Sequence, residues 1–288
     1  MLWLLILPAV LLGASACPKA LAPAAPPTRP QAATLPNLPA GMKLLSRQFW
    51  DNTSDDTKED FFLQAVRPPA PGRWVHRDPE SVTKAMPVPA PPGAWAPDVT
   101  KVLEVALPGG QRGGTAPDKI VLGLSPGWAE LYIYEQILFS PDYLALNNQQ
   151  KHLWIRRIGD PGSGFFFQFR GRSAREHHIS MNSQGLPNSE RTLRPNQGSD
   201  PDLHDGRVHT IEYYLKADSG PLSRDGVVAV WIDGRPVLRY TDVDLFDPTE
   251  KRLFGLLRYE HTFGGGRRPV PPGSRYAIYI GATQVYGR

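Results

Sequence analysis

Cysteine is nearly missing from these 288 residues, with Cys17 the only one. A single thiol excludes any internal disulfide, so buried apolar surface has to hold the fold together. Long apolar runs are scarce too. After the N-terminal stretch none is long enough to cross a bilayer as a helix. Sustained helical periodicity is absent, and so are the G-x-S-x-G, phosphate-loop and dinucleotide signatures of nucleophilic and nucleotide-dependent enzymes. Concentrated positive charge is lacking as well. The net charge is +4, but the densest spots are only Arg156-Arg157, Arg170/Arg172/Arg175 and Arg267-Arg268. Scattered arginines describe a solvated surface and argue against a nucleic-acid partner. They would suit an acidic polymer.

What is present begins with a short apolar run, Leu2 to Leu12, ending in the small residues Ala14-Ser15-Ala16. That length suits the core of a secretory signal, and the small triplet suits a peptidase pocket that excludes bulk. Ala14-Ser15-Ala16-Cys17 resembles a bacterial lipobox, which implies lipidation at Cys17 and a membrane contact through that lipid. The alternative is an ordinary cleavage site followed by an unmodified thiol. The Ala/Pro-rich stretch that follows has almost no aromatics and cannot bury a core, so it reads as a disordered, extended tether. The expected organisation is a signal peptide over 1–16, an anchor and tether over 17–42, and one folded domain over 43–288. The resulting expectation is an exported protein of a bacterial cell envelope.

The body reads as short β-rich runs punctuated by Gly, Pro, Asn and Asp. The clearest are 101–107, 130–139, 152–158, 164–170, 207–216, 226–233, 252–260 and 275–285. Between Asp225 and Leu238, Val228, Val230 and Ile232 alternate with Ala229, Trp231 and Asp233, and Asp233-Gly234 supplies a hairpin turn. The Pro/Gly-rich 68–97 segment reads as a surface excursion pinned by Trp74 and Trp95. The expected fold is all-β, an antiparallel sandwich.

Several stretches carry a family resemblance. His209-Thr-Ile-Glu-Tyr-Tyr-Leu-Lys216 followed by Asp225-Gly-Val-Val-Ala-Val-Trp-Ile-Asp-Gly234 resembles a paired motif of concanavalin A-like jelly rolls. Tyr132-Ile-Tyr-Glu-Gln-Ile-Leu-Phe-Ser-Pro-Asp-Tyr143, His261-Thr-Phe-Gly-Gly-Gly266 and Tyr276-Ala-Ile-Tyr279 are similar to strands of its polysaccharide-lyase-like branch, which includes alginate and glucuronan lyases. The likeness covers about 100–288 and implies a jelly roll whose concave sheet contacts polysaccharide. It specifies fold better than activity. Asn147-Asn-Gln-Gln-Lys-His152 replaces the Lys-rich segment of the alginate-cleaving members, and no Glu-x-Asp-x-x-Glu strand supports hydrolysis by paired carboxylates.

On alternating strands, one face would carry Tyr132, Tyr134 and Gln136, another His152, Trp154 and Arg156, and a third Phe166, Gln168 and Arg170. Brought together, these residues would form a groove of aromatic platforms and amide or guanidinium donors suited to an acidic sugar. For β-elimination, Tyr279 or Tyr276 with His152 are the candidate acid and base, and Arg156, Gln168 and Arg170 the candidate neutralisers of the substrate carboxylate. No cofactor is implied. Asp202-Leu-His-Asp205 with His209 and the pair His177-His178 read as turn chemistry rather than metal sites, although the fold leaves room for a structural Ca²⁺. Two readings stay open: a polysaccharide-contacting protein that binds or cleaves by β-elimination, and a non-catalytic binding or protein-interaction scaffold.

Overall fold

Alternation decides which face of each strand is buried, and the hairpin 226–243 shows it most simply. Val228, Val230 and Ile232 are fully buried, whereas Trp231 stands on the other face and is part exposed. Asp233 and Gly234 take φ values of 50° and 73°, the paired left-handed conformation that a two-residue hairpin turn requires. The computed structural model describes residues 35–48, 50, 74–77, 84–110, 119–143, 149–158, 164–171, 177–184, 192–198, 201–221, 223–246, 251–264 and 269–288. The expected signal peptide, Cys17, most of the tether and parts of the 68–97 excursion lie outside the described residues. The chain divides into two units, Met1–Ala32 and Ala33–Arg288, and the strands below belong to the second.

In chain order these strands are β1 (Lys43–Gln48), β2 (Trp74–Arg77), β3 (Lys84–Pro89), β4 (Lys101–Pro108) and β5 (Lys119–Trp128). They continue with β6 (Glu130–Phe139), β7 (Gln149–Arg157), β8 (Gly164–Gly171), β9 (His177–Gln184) and β10 (His209–Lys216). The last are β11 (Gly226–Ile232), β12 (Arg235–Val243), β13 (Phe254–Glu260), β14 (Phe263–Gly264) and β15 (Arg275–Gly287). They form two antiparallel sheets. The eight-stranded sheet runs β12-β11-β10-β6-β15-β4-β3, with β1 also paired to β15. The seven-stranded sheet runs β2-β5-β13-β7-β8-β9, with β14 paired to β7. The expected all-β sandwich is therefore what the chain adopts.

The inner faces interlock as one apolar cluster. The eight-stranded sheet contributes Leu103, Val105, Leu131, Ile133, Ile137 and Ile211, among others. The seven-stranded sheet contributes Leu122, Leu153, Ile155, Phe165, Phe167 and Leu257. Burial of this kind is the dominant stabilising contribution in a disulfide-free chain.

Chain segments also pack on the outer face of the eight-stranded sheet. Trp95 lies there against Val99, Val102 and Ala282. A Cβ at Gly281 would sit 2.7 Å from two ring carbons of Trp95, so this close approach needs glycine. On the inner side, Trp50 belongs to the main core cluster and donates its indole N–H to the Gly281 carbonyl at 2.7 Å.

His209, at the start of β10, is locked between two carboxylates. Nδ1 lies 2.8 Å from Asp233 and Nε2 lies 2.9 Å from Asp205, with the side chain 1% exposed. Asp233 thus ties His209 to the β11–β12 turn, and Asp205 ties it to the loop that precedes β10. Burial opposes the imidazolium, but the bonds to Asp233 and Asp205 prevail and raise the His209 pKa. Both carboxyls are held below their ordinary value, the hydrogen bonds outweighing burial. A raised histidine pKa contributes stability that is complete below the unfolded value of about 6.5 and is lost as pH rises through the folded value. The depressed aspartates contribute above about 3.9, and that part is lost as pH falls. The Tm gap between the wild type and His209→Gln should therefore be widest between about pH 4.5 and 6 and narrow as pH rises through the raised folded value. A pH series of thermal melts checks this, and a gap independent of pH would contradict it.

Candidate functional site

The expected groove is divided by the sheet order. Tyr132, Tyr134 and Gln136 of β6 do share a face, but it is the outer face of the eight-stranded sheet. Trp154, Arg156, Phe166, Gln168 and Arg170 lie on β7 and β8, on the outer face of the seven-stranded sheet. Strands that follow one another in the chain have crossed from one layer to the other. The two sets stand on opposite outsides of the sandwich and cannot line one groove.

On the β6 side the residues are engaged in packing. Tyr132 donates its hydroxyl to Glu212 and meets the Tyr286 ring edge-on at 5.9 Å. Gln136 accepts the Ala96 backbone N–H at 3.2 Å, tying down the segment that carries Trp95. Tyr134 is buried on the same face, and that burial, with Glu212 and Asp233 nearby, pushes its pKa up to about 12.

The elimination candidates also separate. Tyr276 turns inward and packs its ring 5.3 Å from Tyr143. Tyr279 turns to the outer face of the eight-stranded sheet beside Glu104, its pKa raised by burial and then by that carboxylate. His152 does not share a face with Trp154 and Arg156. A β-bulge between Lys151 and Leu153 turns its ring into the core and leaves Lys151 outside in its place.

What the structure does assemble is a cationic platform on the seven-stranded sheet. Trp154 and Phe166 pack with ring centroids 4.6 Å apart. Lys151 Nζ lies 4.9 Å from both centroids, and the Arg156 and Arg258 guanidinium carbons lie 5.2 and 5.1 Å from that of Trp154. Three cations thus surround one indole, each within cation–π range. Arg258 is also paired with Glu260. Next on β8, Gln168 donates to Ser180 at 3.1 Å, and Arg170 stands opposite His178 of β9. Burial first, and Arg258 beside it, lower the Lys151 pKa against the opposing pull of Glu260. Burial and then Arg194 lower that of Arg170. Among the described residues, the buried Trp154 Nε1, Gln168 Oε1 and Arg170 Nε make no hydrogen bond. Lys151, Arg258 and His178 were not among the expected site residues. Only strand order, with the β7 bulge, brings them to this face.

A second polar cluster lies between the sheets. Glu135 points inward on β6, where alternation with Ile133 and Ile137 marks an acid in the apolar series. It accepts hydroxyl hydrogen bonds from Tyr213 at 2.5 Å and Tyr259 at 2.7 Å, and lies 2.7 Å from His152 Nε2. His152 Nδ1 lies 3.0 Å from His261 Nε2, and Tyr259 lies 3.2 Å from Thr283 Oγ1. Burial and the neighbouring His152 hold the His261 pKa well below its usual value. Burial and then Glu135 hold both tyrosines well above theirs, so they remain donors near neutrality.

Two layers of antiparallel strands with these crossovers define an antiparallel β-sandwich of the jelly-roll type. Among solved structures, the chain is similar to a variant of alginate lyase Aly36B in complex with an alginate trisaccharide. The two share 15% identity at a TM-score of 0.50 over 72% of this chain and 94% of the other. It is also similar to a carbohydrate esterase from the Shiga toxin-encoding bacteriophage phi24B, with 14% identity and a TM-score of 0.50 over 86% and 100% of the two chains. At such identities the likeness is one of fold. No protein-family model and no curated protein matches the chain.

Proposed function

We propose that this protein binds an acidic polysaccharide across the outer face of the seven-stranded sheet. The observation that carries the reading is the gathering of Lys151, Arg156 and Arg258 around Trp154, with Arg170 one strand away. A polyuronate offers carboxylates to these cations. Glu260 offsets only part of that positive charge.

β-Elimination is the reaction this face would support. Arg156 and Arg170 would neutralise the substrate carboxylate, and Lys151 and His178, on the same face, would be the proton carriers. Gln168, by contrast, is fully buried and committed to Ser180. An amine whose pKa is lowered is the better base near neutrality. Binding without cleavage is the second reading, and a specific observation favours it. Tyrosine is missing from this face: Tyr132, Tyr134, Tyr213, Tyr214, Tyr240, Tyr276, Tyr279 and Tyr286 belong to the eight-stranded sheet, Tyr259 faces inward and Tyr143 sits in the core.

Native gel electrophoresis through alginate, glucuronan, pectate or a neutral glucan tests the binding. One or more acidic polymers should retard the chain and the neutral one should not, with retardation weakening as salt rises. Equal mobility in every gel would remove this face from consideration. Ultraviolet absorbance of unsaturated uronate in the same mixtures separates a lyase from a binder.

A further inference from the structure

Lys151 and Trp154 share the outer face of β7 although two residues stand between them. Regular alternation would put His152 beside Trp154 and bury Lys151 with Leu153. The pairing shows why it does not. Lys151 faces Gln168 and Leu153 faces Phe167, so β7 advances two residues while β8 advances one. His152 is the extra residue of this bulge, and its ring is held at both nitrogens. Nε2 meets Glu135 of the opposite sheet at 2.7 Å, and Nδ1 meets His261 at 3.0 Å. The Lys151 backbone N–H donates to the Thr262 carbonyl at 3.2 Å, next to His261. Bulges re-aim side chains, and this one exchanges an imidazole for an ammonium on the outer face.

We propose that Glu135 and His152 are positioning residues for the cationic platform: their contact between the sheets fixes the β7 bulge, and the bulge sets Lys151 over the Trp154 and Phe166 rings. Glu135 never reaches the outer face, yet it decides which β7 side chain is presented there. The functional consequence rests on the proposed polysaccharide reading; the placement of Lys151 does not. Any polyanion held by the platform would meet Lys151 only while residue 152 stays turned inward.

The test is nuclear magnetic resonance of the full chain carrying ¹³C-labelled lysine, with Lys151 assigned by its loss in Lys151→Ala. Held above two aromatic rings, the Lys151 side-chain protons should resonate upfield of ordinary lysines. Glu135→Leu suits the apolar series of β6 and leaves His152 without its carboxylate, so the Lys151 resonance should move to the solvated position. Glu135→Gln still offers an amide to His152 and should retain the upfield signal. A folded Glu135→Leu chain with the Lys151 signal unmoved would overturn the proposal. If that variant does not fold, His152→Ala reads the same resonance. In the polysaccharide gels, Lys151→Ala should weaken retardation about fivefold, as expected for loss of one partly buried charge contact. Glu135→Leu should match it, and the double variant should lose nothing more. A wild type that no acidic polysaccharide retards would defeat the polysaccharide reading, while the lysine resonance would still decide the positioning.

Discussion

Replacing Glu135 by alanine is expected to lower folding stability by about 3–5 kcal/mol, among the largest single losses available in this chain. Three groups lose their acceptor at once: the hydroxyls of Tyr213 and Tyr259 and Nε2 of His152. All are buried, so water cannot replace the bonds. Tyr259 keeps Thr283 as a partner and His152 keeps His261, which limits the damage. A cavity adds to the loss because the apolar core, to which Ile133 and Ile137 on the same face belong, can close over it only in part. Glu135→Gln preserves the shape and an acceptor oxygen, and should lose only about 1–2 kcal/mol. Urea denaturation followed by circular dichroism compares the two. A loss below about 1 kcal/mol for the alanine variant would mean that the cluster is not a cohesive unit.

The second large effect concerns binding. Trp154→Ala should weaken retention on the preferred acidic polysaccharide by about thirtyfold, or about 2 kcal/mol, because the ring organises more than its own contact. Lys151, Arg156 and Arg258 all lie within about 5 Å of its centroid, and loss of the ring releases three long side chains into many rotamers. Arg156→Ala removes one charge from a platform that otherwise remains, so a few-fold loss is expected. Trp154 stands outside the main apolar core, and the variant should keep its β circular dichroism spectrum. Unchanged retention by a folded Trp154→Ala chain would mean that the polysaccharide, if bound, lies elsewhere.

Much of the architecture was legible because alternation and turn residues report burial directly. The runs at 130–139 and 164–170 fall on β6 and β8, and the Asp233-Gly234 hairpin forms as its residues require. Strands were missed where other chemistry concealed them. β3 contains Pro87 and Pro89, which usually argue against a strand, yet it lies on the edge of its sheet where a missing N–H is tolerated. β5 carries Ser125-Pro126-Gly127, which reads as a turn, and β9 is largely polar. The site was harder. Face assignments within β6 and β8 were right, but no local pattern says that β6 and β7 enter different layers. The β7 bulge was equally silent, since one added residue leaves no mark in composition. Glu135 was passed over as well, although its inward parity between Ile133 and Ile137 is a signal of a carboxylate that must find partners inside.

The place of β15 constrains the order in which the fold can be completed. This strand pairs with β1, β4 and β6, all of which precede it by well over a hundred residues. As the chain is synthesised, β10 to β12 can join β6, and β3 can join β4, but the two halves of the eight-stranded sheet have no common neighbour until β15 emerges. Loop closure over such distances is slow compared with local hairpin formation. The nascent protein therefore carries two open sheet edges from the emergence of β6 until that of β15, and closure waits on a single late strand.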